Sequence, residues 1–577
     1  MELRQAPLGR MGLYSALFGA PLVFLLSDFF PYSYPKFGLL AGGALLLWAG
    51  TWVAPNGAAL TPIRTALDLP LAALAAVWIA SAQVGLEPAY AWLGHPETLT
   101  GVLTLGVGIL LYHAGAALPA GERRLPAVVA ACAGVALSLH AFLQAAGIDP
   151  LPQPAGGLPL GRVIAASGQP VLLGAQLAVA VPLAWTLRRE SEGLRRSLWT
   201  AALLALGAAL LLSKSRGSIL GAAAGLSAAW LTAAEAVSPR RRAWALTLVL
   251  AGALVAGAAA ALRPSAASDA GRVMVWRLAA QAVRRQPLLG AGPEGVRAAA
   301  LRDRDDDALA VLGASFVPRD AHDDLLHAAA TTGLLGLAAY LWLLAALAKA
   351  LAKARDPAAV GAVTALLIHA KFNAAPPAAW AAAALVSGAA FSHDRSRPWP
   401  AAKAAGTVLA VLCFAATAWT WRVDRLHRAA TLAASKGDIP RALALFETGA
   451  RAAAWDQPLR ESYAAFLARA LPRAPGPAQR TAMIELVARL GRETSAWHPA
   501  DASGAQMLAL AGFLRARTGD RSGLDEAWAA AQEGRRLDHA HLPLLQLGAA
   551  LARERGDAAA AVEWAGEAAR IRALSTP

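Results

Sequence analysis

Apolar windows separated by short polar breaks fill the first 421 residues of the chain. Each window holds about 16–20 apolar residues, enough for a helix to cross the roughly 30 Å hydrocarbon core of a bilayer. The windows fall near 11–29, 37–53, 67–85, 98–118, 126–147, 168–187, 198–213, 217–235, 244–262, 324–348, 357–373, 378–392 and 404–421. This pattern predicts thirteen membrane helices, although the short windows 198–213 and 378–392 also fit re-entrant segments. Arg4 and Arg10 precede the first window as they would in a signal peptide. No A-x-A-like site follows Phe30 and a second window arrives at once, so an uncleaved helix is expected.

Cations sort the breaks into two kinds. One alternate set carries Arg64, Arg123 with Arg124, Arg188, Arg189, Arg195 and Arg196, Arg240 to Arg242, Lys349, Lys353 and Arg355, and then Arg395, Arg397 and Lys403. The other set carries only Lys36, Arg162, Lys214 and Arg216, with Lys371 at a span end. Lys and Arg mark cytoplasmic loops, so the first set is expected inside. Two regions escape the membrane: a long extracytoplasmic segment, 263–322, and a polar tail, 422–577. Thirteen spans place the tail outside the cytoplasm and twelve would place it inside.

The tail has helix-period patterns of 12–16 residues interrupted by Lys436-Gly437-Asp438, Thr518-Gly519-Asp520 and Arg555-Gly556-Asp557. Glycine is expected at a helix C-cap and aspartate at the next N-cap. Ala442, Phe446, Trp528 and Ala561 follow at offsets that suit packing between paired helices. The arrangement resembles the tetratricopeptide repeat, with a spacing of 37 between the second and third glycines and no closing proline.

Composition agrees with a membrane protein: 57 % of residues are AVILMFWYC and 16 % are charged, with mean hydropathy +0.44. Soluble domains run at about 25 % charged. The net charge of +15 follows from the basic loops, so no nucleic-acid partner is expected. Cys132 and Cys413 sit in apolar windows and read as small core residues. The fold class expected is all-α: a membrane helical bundle at 1–421 followed by a helical repeat domain at 422–577.

Three places on the expected outer side hold candidate chemistry. Ser213-Lys214-Ser215-Arg216-Gly217-Ser218 gathers cations and hydroxyls between two spans, a small anion site or a polar turn. In the segment from Gly271 to Gly290, Arg277, Gln281, Arg284 and Arg285 make one basic helix face. Its apolar side, with Val275, Trp276, Ala279, Ala282 and Val283, is expected to lie along the membrane surface. Arg272 projects with that apolar side and needs an anionic partner. At Asp320-Ala321-His322-Asp323, a capping pattern places His322 in the first turn of the next helix. The helix dipole would keep it neutral there, as a base or as a purely structural residue. The acidic run Asp303 to Asp307 lacks metal-ligand spacing and reads as a solvated loop.

In chain order these pieces are Gly161-Arg162, Gly168-Gln169-Pro170, Ser215-Arg216-Gly217, Gly271-Arg272 with Trp276, Pro287-Leu288-Leu289-Gly290-Ala291-Gly292-Pro293, Ala321-His322-Asp323 with Leu325, and Gly333-Leu334-Leu335-Gly336. Together they resemble the O-antigen ligase and polymerase family of bacterial membrane glycosyltransferases. Two positions depart from the family's pattern: Asp323 stands where asparagine is common, and Thr331-Thr332 where glutamate often precedes the turn.

The resemblance implies a C-type glycosyltransferase fold in the bacterial inner membrane, and thirteen spans would make the repeat tail extracytoplasmic. It implies a polyprenyl diphosphate-linked glycan as donor. The acceptor would be a lipid A core (ligase), a growing glycan (polymerase) or a protein hydroxyl. Arg216 and Arg272 would bind the diphosphate, with Lys214, Ser215, Arg277, Arg284 and Arg285 as further substrate contacts, and His322 would take the acceptor proton. No metal or cofactor is expected, and the anomeric centre should invert. Membrane lipids and a protein bound by the tail are the remaining expected partners. The main alternative outside this class is a glycan or lipid transporter, which usually keeps ionisable groups at mid-membrane. A membrane-anchored scaffold would leave Arg216, Arg272 and His322 unexplained.

Overall fold

A computed structural model describes residues 7–53, 62–149, 161–234, 238–261, 266–392 and 398–575. Arg4, Arg395, Arg397 and the first residues of the 263–322 segment therefore lie outside the described residues. The fold is all-helical, with no strands among the described residues. A bilayer offers no water to backbone N–H and C=O groups, so each apolar window must bond to itself as a helix. Each of the thirteen windows contains helix among the described residues, the first only as far as Leu22.

In order the helices are α1 (Pro7–Tyr14), which passes through a π-turn (Ser15–Gly19) into α2 (Ala20–Leu22), then α3 (Tyr34–Gly50), α4 (Asp68–Val84), α5 (Pro88–Leu93), α6 (Val102–Ala116) and α7 (Leu125–Ala145). Next come α8 (Pro170–Arg189), α9 (Gly193–Ser213), α10 (Arg216–Thr232), α11 (Pro239–Ala261) and the extramembrane helices α12 (Ala266–Arg285), α13 (Val296–Asp303) and α14 (Asp306–Leu312). The bundle closes with α15 (Asp324–Ala354), α16 (Pro357–Ala370), α17 (Pro377–Phe391) and α18 (Pro400–Ser435). Five of these regions are individually long and apolar enough to cross a membrane.

Ion pairs join the loops at one end of the bundle. Arg10 pairs with Glu122, Arg124 with both Glu190 (2.7 Å) and Asp356 (2.6 Å), and Arg355 reaches the Ala234 carbonyl at 3.0 Å. This basic end gathers the loops expected inside. At the opposite end Lys36 donates to the Pro21 carbonyl (2.7 Å) and Arg162 to that of Ser213 (2.9 Å), while Lys371 pairs with Asp324.

The short helices also run from end to end. α9 begins where Thr200 meets Arg188 and finishes at Ser213; α17 begins next to the Lys371 turn and finishes with Phe391 against Tyr112, itself bonded to Thr65. α18 starts at the basic end, where Trp399 lies under Arg64, and reaches the opposite end, where Trp421 bonds to Asp28 and Asp424 accepts from the Phe29 and Phe30 amides. The tail therefore starts at the end of the bundle that carries His322.

Two close approaches shape the site end. A Cβ on Gly221 would come within 2.5 Å of the Ala365 carbonyl, and one on Gly225 within 2.5 Å of that of Gly361, so α10 and α16 touch backbone to backbone. The second approach explains the two glycine-rich motifs. α15 is broken at Gly333 (φ 68°, ψ −170°), and the 287–292 turn repairs the break. The amides of Ala291 and Gly292 donate to the Ala330 and Thr331 carbonyls (both 2.8 Å), and the Leu334 amide donates to that of Pro287 (2.7 Å). Gly290 and Gly333 sit at positive φ in this exchange with no space for a side chain.

Around α12 the structure corrects one expectation. Val275, Ala279 and Ala282 do not meet the membrane surface; Ala279 and Ala282 pack on Ala291, Val296, Ala299, Ala321 and Ala330. Val273 and Trp276 are instead 62 % and 39 % exposed.

α18 runs unbroken through residue 421 into the tail, which continues as α19 (Ile439–Ala452), α20 (Gln457–Ala470), α21 (Pro477–Trp497), α22 (Ser503–Arg517), α23 (Leu524–Leu537), α24 (Leu542–Arg555) and α25 (Ala558–Leu574). Gly437, Gly519 and Gly556 all have positive φ just past helix ends, and Asp438 and Asp557 cap α19 and α25. Asp520 departs from this pattern: it accepts from Ser522 rather than from a helix amide. Ala442, Phe446 and Ala561 are buried, and Trp528 packs on Trp564 at 5.1 Å. Leu309 and Ala314, from the segment between the membrane helices, join the same core.

Candidate functional site

Four short segments converge at the site end. The first is the α9–α10 connection. Lys214 takes the left-handed conformation that ends α9, Ser215 is the residue before α10, and Arg216 opens α10. Ser215 is buried with its Oγ 2.7 Å from Ser218 Oγ, so that hydroxyl is turned into the protein; Lys214 is exposed. The dipole of α10 adds partial positive charge beside Arg216, which favours an anion there.

The second segment is α12. Arg272 follows the buried face, as its spacing predicts, and donates from Nη2 to Asn373 Oδ1 at 3.4 Å. Arg277, Arg284 and Arg285 lie about 120–140° around the helix from it, at 100° per residue. Arg277 pairs with Asp305 and Asp307, and Arg285 with Asp303 at 3.0 Å; Arg284 is exposed. The acidic run thus serves as counter-charge to two of the arginines expected to touch substrate.

The third segment leads into α15. Here the expectation for His322 is corrected. Asp323 is the N-cap, accepting from the Leu326 amide at 2.8 Å, and α15 starts at Asp324. His322 therefore precedes the helix, at φ 53°, with its amide bonded to Asp320 Oδ1 at 2.6 Å. Its ring is about one-third exposed (35 %) and its Nδ1 has no hydrogen-bond partner, the Asp320 carboxylate lying 3.8 Å away. Burial pushes the imidazole below its ordinary value; the Asp320 charge opposes this and the Arg272 charge reinforces it. Desolvation is the main cause that favours the neutral form. His327 approaches the other Asp320 oxygen at 3.5 Å.

The fourth segment, the turn from His369 to Asn373, escaped the sequence reading except for Lys371. Its signal was three polar residues at alternate positions between alanine-rich spans. Glu294 was also missed: it is buried at φ 63°, and its carboxylate accepts from the His95 and Thr100 amides and the Thr98 and Thr100 hydroxyls. That cage anchors the 287–294 turn to the loop before α6.

The arrangement thus offers guanidinium groups, a helix N-terminus and a neutral imidazole at one rim of the bundle. Among the described residues no group of three or more His, Cys, Asp or Glu side chains is placed to hold a metal ion.

Residues 200–341 match the family described as O-antigen ligase. The matched stretch contains Arg216, Arg272, the 287–293 turn, His322 and the Gly333 break. The O-antigen ligase match supports glycan transfer by a membrane enzyme. It stops short of the His369–Asn373 turn and of the tail. No curated protein matches the chain.

Proposed function

We propose that the protein transfers a glycan from a polyprenyl diphosphate carrier to an acceptor hydroxyl, in the manner of an O-antigen ligase, at the outer face of the bacterial inner membrane. The observation that carries this reading is the neighbourhood of Arg272 and His322: a permanent cation near an imidazole whose Nδ1 has no hydrogen-bond partner and whose protonation burial disfavours. Arg216 and Arg272 hold the diphosphate, Arg216 aided by the α10 N-terminus. His322 accepts the proton of the acceptor hydroxyl as its oxygen bonds to the anomeric carbon. The bond from that carbon to the diphosphate oxygen breaks, and its electron pair leaves with the polyprenyl diphosphate as one further negative charge. Attack opposite the leaving group inverts the anomeric centre, and two arginines supply the charge that a metal would.

The gathering of these groups at one rim favours surface chemistry over transport, which needs polar sites at mid-membrane. Polymerase and protein-glycosylating variants share the same chemistry and differ in acceptor. The tail, read as a tetratricopeptide-like repeat domain, stands at that rim and suits a glycan-bearing or protein partner. Mass spectrometry of lipid-linked glycans tests the reading in cells lacking the gene and in cells carrying His322→Ala. Accumulation of long diphosphate-linked chains in both supports the ligase reading, and accumulation of single repeat units in both makes the protein a polymerase. A normal pool with His322→Ala, where deletion changes it, overturns the histidine's role.

A further inference from the structure

The turn between α16 and α17 touches each of the three segments that bear candidate site residues, through a different side chain each time. His369 Nδ1 lies 3.0 Å from Ser218 Oγ, which in turn meets Ser215 Oγ, next to Arg216. Lys371 pairs with Asp324, the first residue of α15 and two beyond His322; Tyr340 holds the other oxygen of Asp324 at 2.8 Å. Asn373, buried, accepts from Arg272 through Oδ1. Its Nδ2 lies only 2.7 Å from where a Cβ on Gly217 would sit, so the amide is wedged between α10 and α12. The turn itself is held by the Phe372 and Asn373 amides, which donate to the His369 carbonyl at 3.0 and 3.2 Å.

We infer that the His369–Asn373 turn sets the mutual position of Arg216, Arg272 and His322, and that Asn373 is a positioning residue for the Arg272 guanidinium. The inference rests on the diphosphate-binding role proposed above. A neutral amide suits the task because its contact orients the guanidinium and adds no opposing charge of its own. A carboxylate in its place would form a bidentate ion pair and withdraw that charge from a ligand. Lys371 and His369 act on the neighbouring segments in the same turn.

The test uses the full-length protein in detergent with farnesyl diphosphate as the probe. Its affinity is measured for wild type, Arg272→Ala, Asn373→Ala and the isosteric Asn373→Asp. Asn373→Asp is expected to weaken binding as much as Arg272→Ala does, and Asn373→Ala by about tenfold, the typical worth of a hydrogen bond to a charged group. Asn373→Asp should also move the acid limb of the transfer rate to higher pH, because Arg272 would then no longer disfavour the protonated His322; a merely structural role would leave that limb in place. Should Asn373→Ala fail to fold, Asn373→Asp alone decides. If Arg272→Ala weakens binding while both Asn373 variants bind as wild type, the positioning role is wrong and the proposed function stands. If Arg272→Ala itself binds as wild type, the diphosphate role of Arg272 falls, and this inference falls with it.

Discussion

Two polar regions at the same end of the molecule treat their histidines in opposite ways. Where the tail docks on the bundle, each buried cation meets a carboxylate. Arg297 pairs with Asp501, Arg304 with Asp538, and His498 Nδ1 lies 2.6 Å from Glu87, its other nitrogen 2.7 Å from the Trp455 carbonyl. Burial works to raise the Asp501 carboxyl, but the charge and hydrogen bond of Arg297 overcome it and hold the group far below the usual carboxylate range. Burial likewise disfavours a charged His498, and Glu87 outweighs it, raising the imidazole above its ordinary value. At the candidate site, by contrast, Arg272 meets a neutral amide, and the buried Nδ1 of His322 has no hydrogen-bond partner. Charge matched inside the protein fixes a structure. A base with a displaced pKa and an open hydrogen-bonding nitrogen, close to an arginine, is an arrangement that a ligand can complete.

Substitutions should separate the two regions. The largest effect is expected from Arg304→Ala, which strands the buried Asp538 carboxylate and should cost about 3–5 kcal/mol of docking stability. Protease cleavage between bundle and tail would report it, and unchanged resistance would break the comparison on that side. Arg216→Ala should lower glycan transfer by about 100–1000-fold, as loss of a preorganised charge donor does, while the thermal unfolding midpoint stays at the wild-type value. A parallel drop in the midpoint would instead place Arg216 with the structural cations.

The histidines offer a smaller, pH-dependent contrast. His498 is raised on docking, so its contribution is complete below the unfolded value of about 6.5 and fades as pH rises through the higher folded value. Protease resistance followed across pH should show that loss, and His498→Gln should abolish the trend. His322 is lowered, so its neutral form persists below the ordinary histidine range and transfer should fail only at more acidic pH. The smallest expected effect is Arg284→Ala: that side chain is exposed, and removing it should leave transfer and stability near wild type.

Much of this architecture was legible residue by residue. The apolar windows had to become helices because nothing else satisfies a backbone in lipid. The arginine pattern ordered the loops, and Gly437, Gly519 and Gly556 took the helix ends that their spacing indicated. Arg216 and His322 drew attention because polar residues at the end of an apolar span are conspicuous, and Arg272 because it projects with the apolar side of its helix. An amphipathic pattern, however, states only that a face avoids water. It could not say that protein rather than lipid would cover Val275, Ala279 and Ala282. Nor could it say that Arg277 and Arg285 would be matched by the acidic run beyond them.

The sequence by itself therefore determined the helices, their alternation and the chemical types available at the rim that carries His322, since these follow from local periodicity and the cost of placing charge in hydrocarbon. Tertiary structure alone decided which of those groups meet. Asn373 and Arg272 are 101 positions apart, and Lys371 and Asp324 are 47 apart. Their contact depends on α10 and α16 approaching through glycine and on the 287–292 turn bridging the break in α15, because an ion pair or hydrogen bond acts over a few ångströms and carries no trace in the spacing of the residues that make it.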